Sequence, residues 1–292
     1  MQLCLGARDM SELAKRVGDR AVAEEAQTIY EQFKTRLNET CWDGDWYIRT
    51  ICGDGYQIGS KDCTYGKIFL NPQSWAVLSG VAEGERAQSI MRQVDEHLED
   101  DIGYRICKPP FAEYDARVGK MSNTMPGAAE NGGCYNHAAG FKGVADCYLG
   151  RAEQAWNAFT KVTPGSQDNP ISHSGAEPFS YVNSYSSVPQ VYGSSGYAWR
   201  TGTAGWMCQL MIEHILGARR SYDGLVIDPC LPEAIPEATL TRKFRGATYH
   251  IYIKNRAGGG KGPKSITLDG KTVQGQTLPL ATEGIFDVEV QM

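Results

Sequence analysis

WRTGTAGWMCQLMIEHIL, residues 199–216, decides how the rest of the chain is read. It opens as a turn rich in hydroxyls and glycine, Thr201-Gly202-Thr203, and then places Met207, Leu210, Met211 and Ile215 at helical spacing. The pattern predicts a helix over 203–216 whose first amides lack intrahelical acceptors. Such a start attracts anions. Beyond Gly217 the helical period disappears, so a boundary is expected near Gly217 to Ser221.

Upstream of that boundary the helices come in pairs. Leu13, Ala14 and Val17 lead to Gly18, and Val22, Ala26, Ile29, Phe33 and Leu37 share one face of a second helix. Asn71-Pro72 reads as an N-cap followed by proline at the first helical position, opening a helix through Trp75 and Leu78. Its partner carries Ala87, Ile90, Met91, Val94 and Leu98. A third pair runs from Ala138 through Val144 to Leu149, stops at Gly150, and resumes with Ala152, Ala155, Trp156 and Phe159. Helix hairpins joined by long loops are the sequence form of an α/α toroid. The chain offers fewer helices than a closed ring of six hairpins needs.

Downstream, Thr248 to Asn255 alternates, Asp269-Gly270 is a type I′ turn between short strands, and Ile285 to Val290 forms a last strand. The expected architecture is mainly α with a β appendage, a small antiparallel β-sandwich over 218–292. Gly258-Gly259-Gly260 reads most simply as a hairpin tip, or as a place of close backbone approach.

A net charge of −5, with both signs scattered, leaves no basic face for a phosphodiester backbone, so nucleic acid is excluded as a partner. No run of eighteen apolar residues occurs, and Arg8 and Asp9 interrupt any leader, which points to a soluble protein with no membrane partner. Nine cysteines without a CxxC pair fit buried thiols in a cytoplasm rather than zinc or disulfides, and no metal site is expected. GxSxG, HExxH, P-loop and GxGxxG patterns are all missing.

ENGGCYNHAAG, residues 130–140, is the second informative stretch. His137 could donate a proton to an anion from just before the helix expected near Ala138, although a lone histidine is more often a structural hydrogen-bonder. Thr201 beside Gly202 suits the same anion, or merely caps a helix. Glu130 sits where a turn would present a carboxylate to sugar hydroxyls, against the ordinary alternative of a solvated surface group. Tyr135, Trp199 and other loop aromatics could stack on a sugar face or simply pack the loops.

These two stretches, with ILGARRSYDGLVIDPCLPE, FRGATYHIYIKN and KSITLDGK in that order, resemble the carboxy-terminal part of the inverting β-glycoside phosphorylases of glycoside hydrolase family 94, the family of cellobiose, cellodextrin and N,N′-diacetylchitobiose phosphorylases. The resemblance covers essentially the whole chain. It implies part of an (α/α)6 catalytic barrel over 1–217 followed by a β-sandwich domain, usually in a homodimer. It implies phosphorolysis of β-linked oligosaccharides to an α-sugar 1-phosphate with inversion, with inorganic phosphate as co-substrate and no cofactor. Matched motif to motif, His137, Thr201 and Gly202 take the phosphate and Glu130 the sugar, with Tyr135 and Trp199 as the expected sugar-stacking aromatics.

Two departures bear on this. The family's general acid is the aspartate of a Trp-Asn-Asp type motif, and no such motif occurs in these residues. It is expected upstream of Met1, so no catalytic residue is identified here and the isolated chain is expected to be inactive. Ala129 stands where cellobiose phosphorylases carry a lysine, which disfavours cellobiose and leaves cellodextrins or another β-glucoside open. The competing readings are a non-catalytic carbohydrate-binding protein on the same scaffold and, last, a hydrolase or lyase of the α/α type.

Overall fold

The computed structural model describes residues 1–256 and 258–292. It is mainly helical, with several small sheets. Helix α1 (Gln2–Val17) buries Cys4, Ala7, Ser11 and Ala14, a stripe of small residues that lets α2 (Arg20–Thr40) lie close through Ala23 and Ala26. Gly18, at φ 81°, ends α1, and the Asp19 side chain accepts from the Val22 amide to start α2. The opposite face of α1 leaves Leu3, Met10 and Val17 exposed to solvent.

Helix α3 (Leu70–Leu78) begins earlier than Asn71-Pro72 suggests. Ile68 and Phe69 pair with Lys108 and Cys107, and the Leu70 amide donates to the Ile106 carbonyl, so the strand runs straight into the helix. Phe69 is the cap, Asn71 falls in the first turn, and Pro72 sits where a missing N–H costs nothing. Helix α4 (Gly84–Leu98) buries Ala87, Ile90, Met91, Val94 and Leu98, the five residues its periodicity marks.

Helices α5 (Asn136–Tyr148) and α6 (Ala152–Val162) form the third pair. Helix α5 starts two residues before Ala138, which places His137 inside its first turn rather than ahead of it. The strand Cys134–Tyr135 carries the chain directly into the helix. Between α4, α5 and α6 lies a buried ion cluster: Lys142 Nζ stands 2.7 Å from Asp146 and 2.9 Å from Asp95, and Arg151 pairs with both carboxylates. Burial works against the Lys142 ammonium, but Asp146 and Asp95 outweigh it and raise its pKa.

Helix α7 (Thr203–Gln209) continues as a π-helix over Leu210–Ile215, where a single α-helix to 216 was expected. The Leu216 amide donates to Met211, one residue wider than α-helical spacing. Helices α5 and α7 touch through glycines. A Cβ built on Gly140 would stand 2.9 Å from the Trp206 Cβ, and one on Gly143 would stand 2.4 Å from Leu210 Cδ2. A larger residue at Gly140 would press on the Trp206 Cβ, and one at Gly143 would displace the Leu210 side chain.

The carboxy-terminal part corrects the expectation of an antiparallel sandwich. Its main sheet has five strands, β4 (Glu237–Phe244), β5 (Ala247–Lys254), β6 (Ser265–Leu268), β7 (Lys271–Thr272) and β8 (Ile285–Gln291), ordered β4-β5-β8-β6-β7. Strands β5 and β8 run parallel, because β6 and β7 intervene in the chain and the last strand returns between β5 and β6. The sheet is therefore mixed. Alternation holds within it: Tyr249, Ile251 and Ile253 point inward with Val288 and Val290. Asp269 and Gly270, at φ 47° and 76°, make the expected type I′ turn. The glycine run is not a hairpin tip; Gly260 and Lys261 pair with Leu231 and Cys230, and Gly259 packs against the backbone of Glu233.

The apolar core runs unbroken from Cys4 on α1 to Val290 on β8. All nine cysteines are free, and six of them are buried. Among the described residues no helix is long and apolar enough to cross a membrane.

Candidate functional site

A small antiparallel sheet brings the two informative stretches together. Strand β1 (Cys134–Tyr135) pairs with β2 (Val182–Tyr185), which pairs with β3 (Ser195–Ala198). β1 runs into α5 and β3 into the turn before α7, so the two helices start from the strands that flank β2. The Val182 carbonyl fixes them. It accepts from Asn136 Nδ2 at 3.2 Å and from Thr203 Oγ1 at 3.3 Å, the first residue of each helix, both fully buried.

His137 consequently faces Gly202. A Cβ added to Gly202 would lie 2.8 Å from both Cε1 and Nε2 of the imidazole. Gly202 is at φ −80°, an ordinary conformation, so it is the space and not the backbone that requires glycine here. Thr201 Oγ1 accepts from the Thr203 amide at 3.1 Å, donates to Asn183 Oδ1 at 3.0 Å, and lies 2.7 Å from Thr203 Oγ1. The amides of Ala204 and Gly205, further along the first turn, have no intrahelical acceptor to reach.

The imidazole rests on aromatic rings. Phe141 lies 4.8 Å away and Trp206 6.5 Å, and Trp75 from α3 closes the floor at 5.1 Å from Phe141. Burial in this setting lowers the His137 pKa, which favours a neutral ring. A neutral imidazole can donate one N–H. With the amino ends of two helices brought together at the Val182 carbonyl, the arrangement supplies donors and positive partial charge without a formal cation.

Glu130 is exposed, and Tyr135 donates its hydroxyl to Glu130 Oε1 at 3.4 Å. Asn131, beside it, is wholly buried; it accepts from the Phe111 amide at 2.7 Å and donates to the carbonyls of Phe111 and Thr124. That anchor holds the loop that presents Glu130. Trp199 stands apart from these contacts: it is 70% exposed, at φ 66°, with its indole N–H donated to Glu177. The structure thus joins His137 with Gly202 and Glu130 with Tyr135, and leaves Trp199 exposed and apart from both pairs. Asn183, Asn136 and the Trp75–Phe141–Trp206 floor escape a reading by motif. Their only sequence signal is Asn136 adjoining His137, and aromatics on helix faces that pass for ordinary core.

The overall fold has likenesses among solved structures. The chain resembles a sialidase (TM-score 0.55, 11% identity, 82% of this chain and 21% of that one). It also resembles a GH78 rhamnosidase of Bacillus sp. GL1 (TM-score 0.50, 16% identity, 99% and 26%). These likenesses concern the fold alone. By sequence it is 39% identical over 288 residues to solabiose phosphorylase of Paenibacillus borealis, covering 97% of this chain and 37% of that protein. It is 35% identical to 3-O-β-D-glucopyranosyl-β-D-glucuronide phosphorylase of the same organism, over 100% of this chain and 38% of that protein. It is 34% identical to N,N′-diacetylchitobiose phosphorylase of Vibrio proteolyticus, over 94% and 35%. The catalytic domain of the glycosyl hydrolase 94 superfamily matches residues 1–217. The chain belongs to that family, and spans somewhat over a third of the length of these curated relatives.

Proposed function

We propose that the chain is the phosphate- and sugar-holding portion of an inverting β-glycoside phosphorylase. The observation that carries this reading is His137 facing Gly202 across a gap that a single Cβ would fill. Phosphate is held there by the His137 N–H, the amide of Gly202 and the Thr201 hydroxyl, whose proton turns from Asn183 to the anion, with Glu130 and Tyr135 receiving the non-reducing sugar. A phosphate oxygen attacks the anomeric carbon as the glycosidic C–O bond breaks, and a carboxylic acid gives its proton to the leaving oxygen. The products are an α-sugar 1-phosphate and a shortened acceptor. No base is needed, since phosphate is already an anion. The substrate class is a β-linked oligosaccharide, in keeping with the names of its relatives, and Ala129 argues against cellobiose.

In this reading residues 1–217 form part of an (α/α)6 barrel and 218–292 an appended β domain. The protein works as a homodimer in the cytoplasm, which suits six buried free thiols. The proton donor belongs to a Trp-Asn-Asp segment that these 292 residues do not contain. The isolated chain should therefore bind phosphate yet turn over negligibly, because proton transfer alone is worth roughly 10²- to 10⁴-fold.

Calorimetric titration of the chain with inorganic phosphate tests the proposal. Binding that is lost in His137→Ala and weakened in Thr201→Val is the expected result. Glycan binding indifferent to phosphate and unchanged in His137→Ala would instead make the chain a lectin.

A further inference from the structure

A second cleft, of about 680 Å³, lies where α1 meets the β appendage, and neither His137 nor Gly202 lines it. Four arginines do, Arg8, Arg219, Arg220 and Arg245, against two carboxylates, Asp9 and Glu12. Two of the four are committed: Arg8 stands 3.7 Å from Asp9, and Arg220 stands 2.7 Å from Glu213. Arg219 and Arg245 make no ion pair among the described residues. In a chain of net charge −5, two uncommitted guanidinium groups in one concavity mark a place built for an anion.

The wall of the cleft is aromatic. Tyr148 and Tyr222 are both exposed, and Phe244 lies under Arg245, whose guanidinium stands 5.4 Å from the ring centre. Tyr222 is braced by Arg16, which sits 4.8 Å from its ring centre and is held by both oxygens of Asp223 at 2.8 Å. A bare inorganic ion would leave that wall unused, whereas the C–H face of a sugar ring would cover it. Asp9 and Glu12 add acceptors for hydroxyl groups. The volume is that of a small-molecule pocket. We infer that this cleft binds a phosphorylated monosaccharide, its phosphate on Arg219 and Arg245 and its ring against the tyrosines. The inference stands independently of the phosphorylase reading.

Calorimetry on the full 292-residue chain with glucose 1-phosphate, glucose 6-phosphate, inorganic phosphate and glucose separates the possibilities. His137→Ala silences the other anion site. Arg245→Asn removes one cation at a position of φ 51°, where asparagine is among the best-tolerated residues, so the β4–β5 turn is kept. Arg219→Gln is the second variant, and thermal unfolding confirms that each is folded. Sugar phosphate binding that survives His137→Ala and falls about tenfold or more in Arg245→Asn and Arg219→Gln is the expected outcome. Loss of all sugar phosphate binding in His137→Ala, or unchanged binding in both folded arginine variants, overturns the site. Equal affinity for inorganic phosphate alone overturns the part assigned to the sugar ring.

Discussion

The Cε1 and Nε2 atoms of His137 lie 2.8 Å from the point where a Cβ on Gly202 would stand, which makes Gly202 the residue that decides whether the imidazole can occupy its place. The prediction is direct. Gly202→Ala puts no strain on a backbone at φ −80°, so any loss of stability comes from crowding the ring and should stay within about 1–3 kcal/mol. The added methyl must push the ring aside, and phosphate affinity should fall at least about tenfold. An alanine variant that binds phosphate as tightly as the parent would show that the imidazole does not take part.

The His137 ring sits on Phe141 and Trp206, and burial holds its pKa below the usual histidine value. A bound dianion favours the protonated ring and must move that pKa upward. NMR titration of the imidazole should therefore give a midpoint below 6.5 without phosphate and a higher one with it. A midpoint that ignores saturating phosphate would place the anion elsewhere.

Lys142 is completely buried on α5 and faces Asp95 and Asp146 together. Lys142→Met would leave those two carboxylates with Arg151 alone, and stranding a buried charge costs about 3–5 kcal/mol. Urea unfolding should show a loss of that order with an unchanged slope. A loss under about 1 kcal/mol would mean that the cluster contributes little to holding α4, α5 and α6 together.

What the sequence makes legible here is periodicity and short-range chemistry. The five core residues of α4 can be read directly, and so can the Asp269-Gly270 turn, because each depends only on neighbours in the chain. The start of α3 cannot. Asn71-Pro72 is a good local cap signal, but the pairing of Ile68 and Phe69 with a strand some forty residues away overrides it. The parallel neighbours β5 and β8 are hidden for the same reason, since alternation fixes which face a residue takes and not which strand lies beside it. At the site, the histidine and the Thr-Gly turn stand out, whereas Asn183 and the Val182 carbonyl that aligns both helices act through tertiary contacts that no spacing rule encodes. Lys142 is the sharpest case. A lysine among alanines and glycines reads as a solvated face, and only the approach of Asp95 from another helix makes it core.

His214, on the π-helical turn that follows α7, provides a pH-dependent term in stability. Its ring lies 5.5 Å from Tyr148, and burial, with Arg219 and Lys261 nearby, lowers its pKa to about 4. The unfolded chain, with an ordinary histidine near 6.5, binds the proton more readily across that interval. The stabilising contribution is thus fully present above about pH 6.5 and drains away as the pH falls through about 4, by about 3 kcal/mol in total. His214→Gln removes the titration while keeping a polar side chain. Carboxylates whose pKa values are depressed, such as Glu99 and Asp100, titrate in both proteins and cancel in the difference. Denaturant unfolding of the two proteins between pH 7 and pH 4 should therefore converge, the parent losing its advantage on the acid side. Parallel curves over that range would mean that the ring takes up its proton as easily in the folded chain as in the unfolded one.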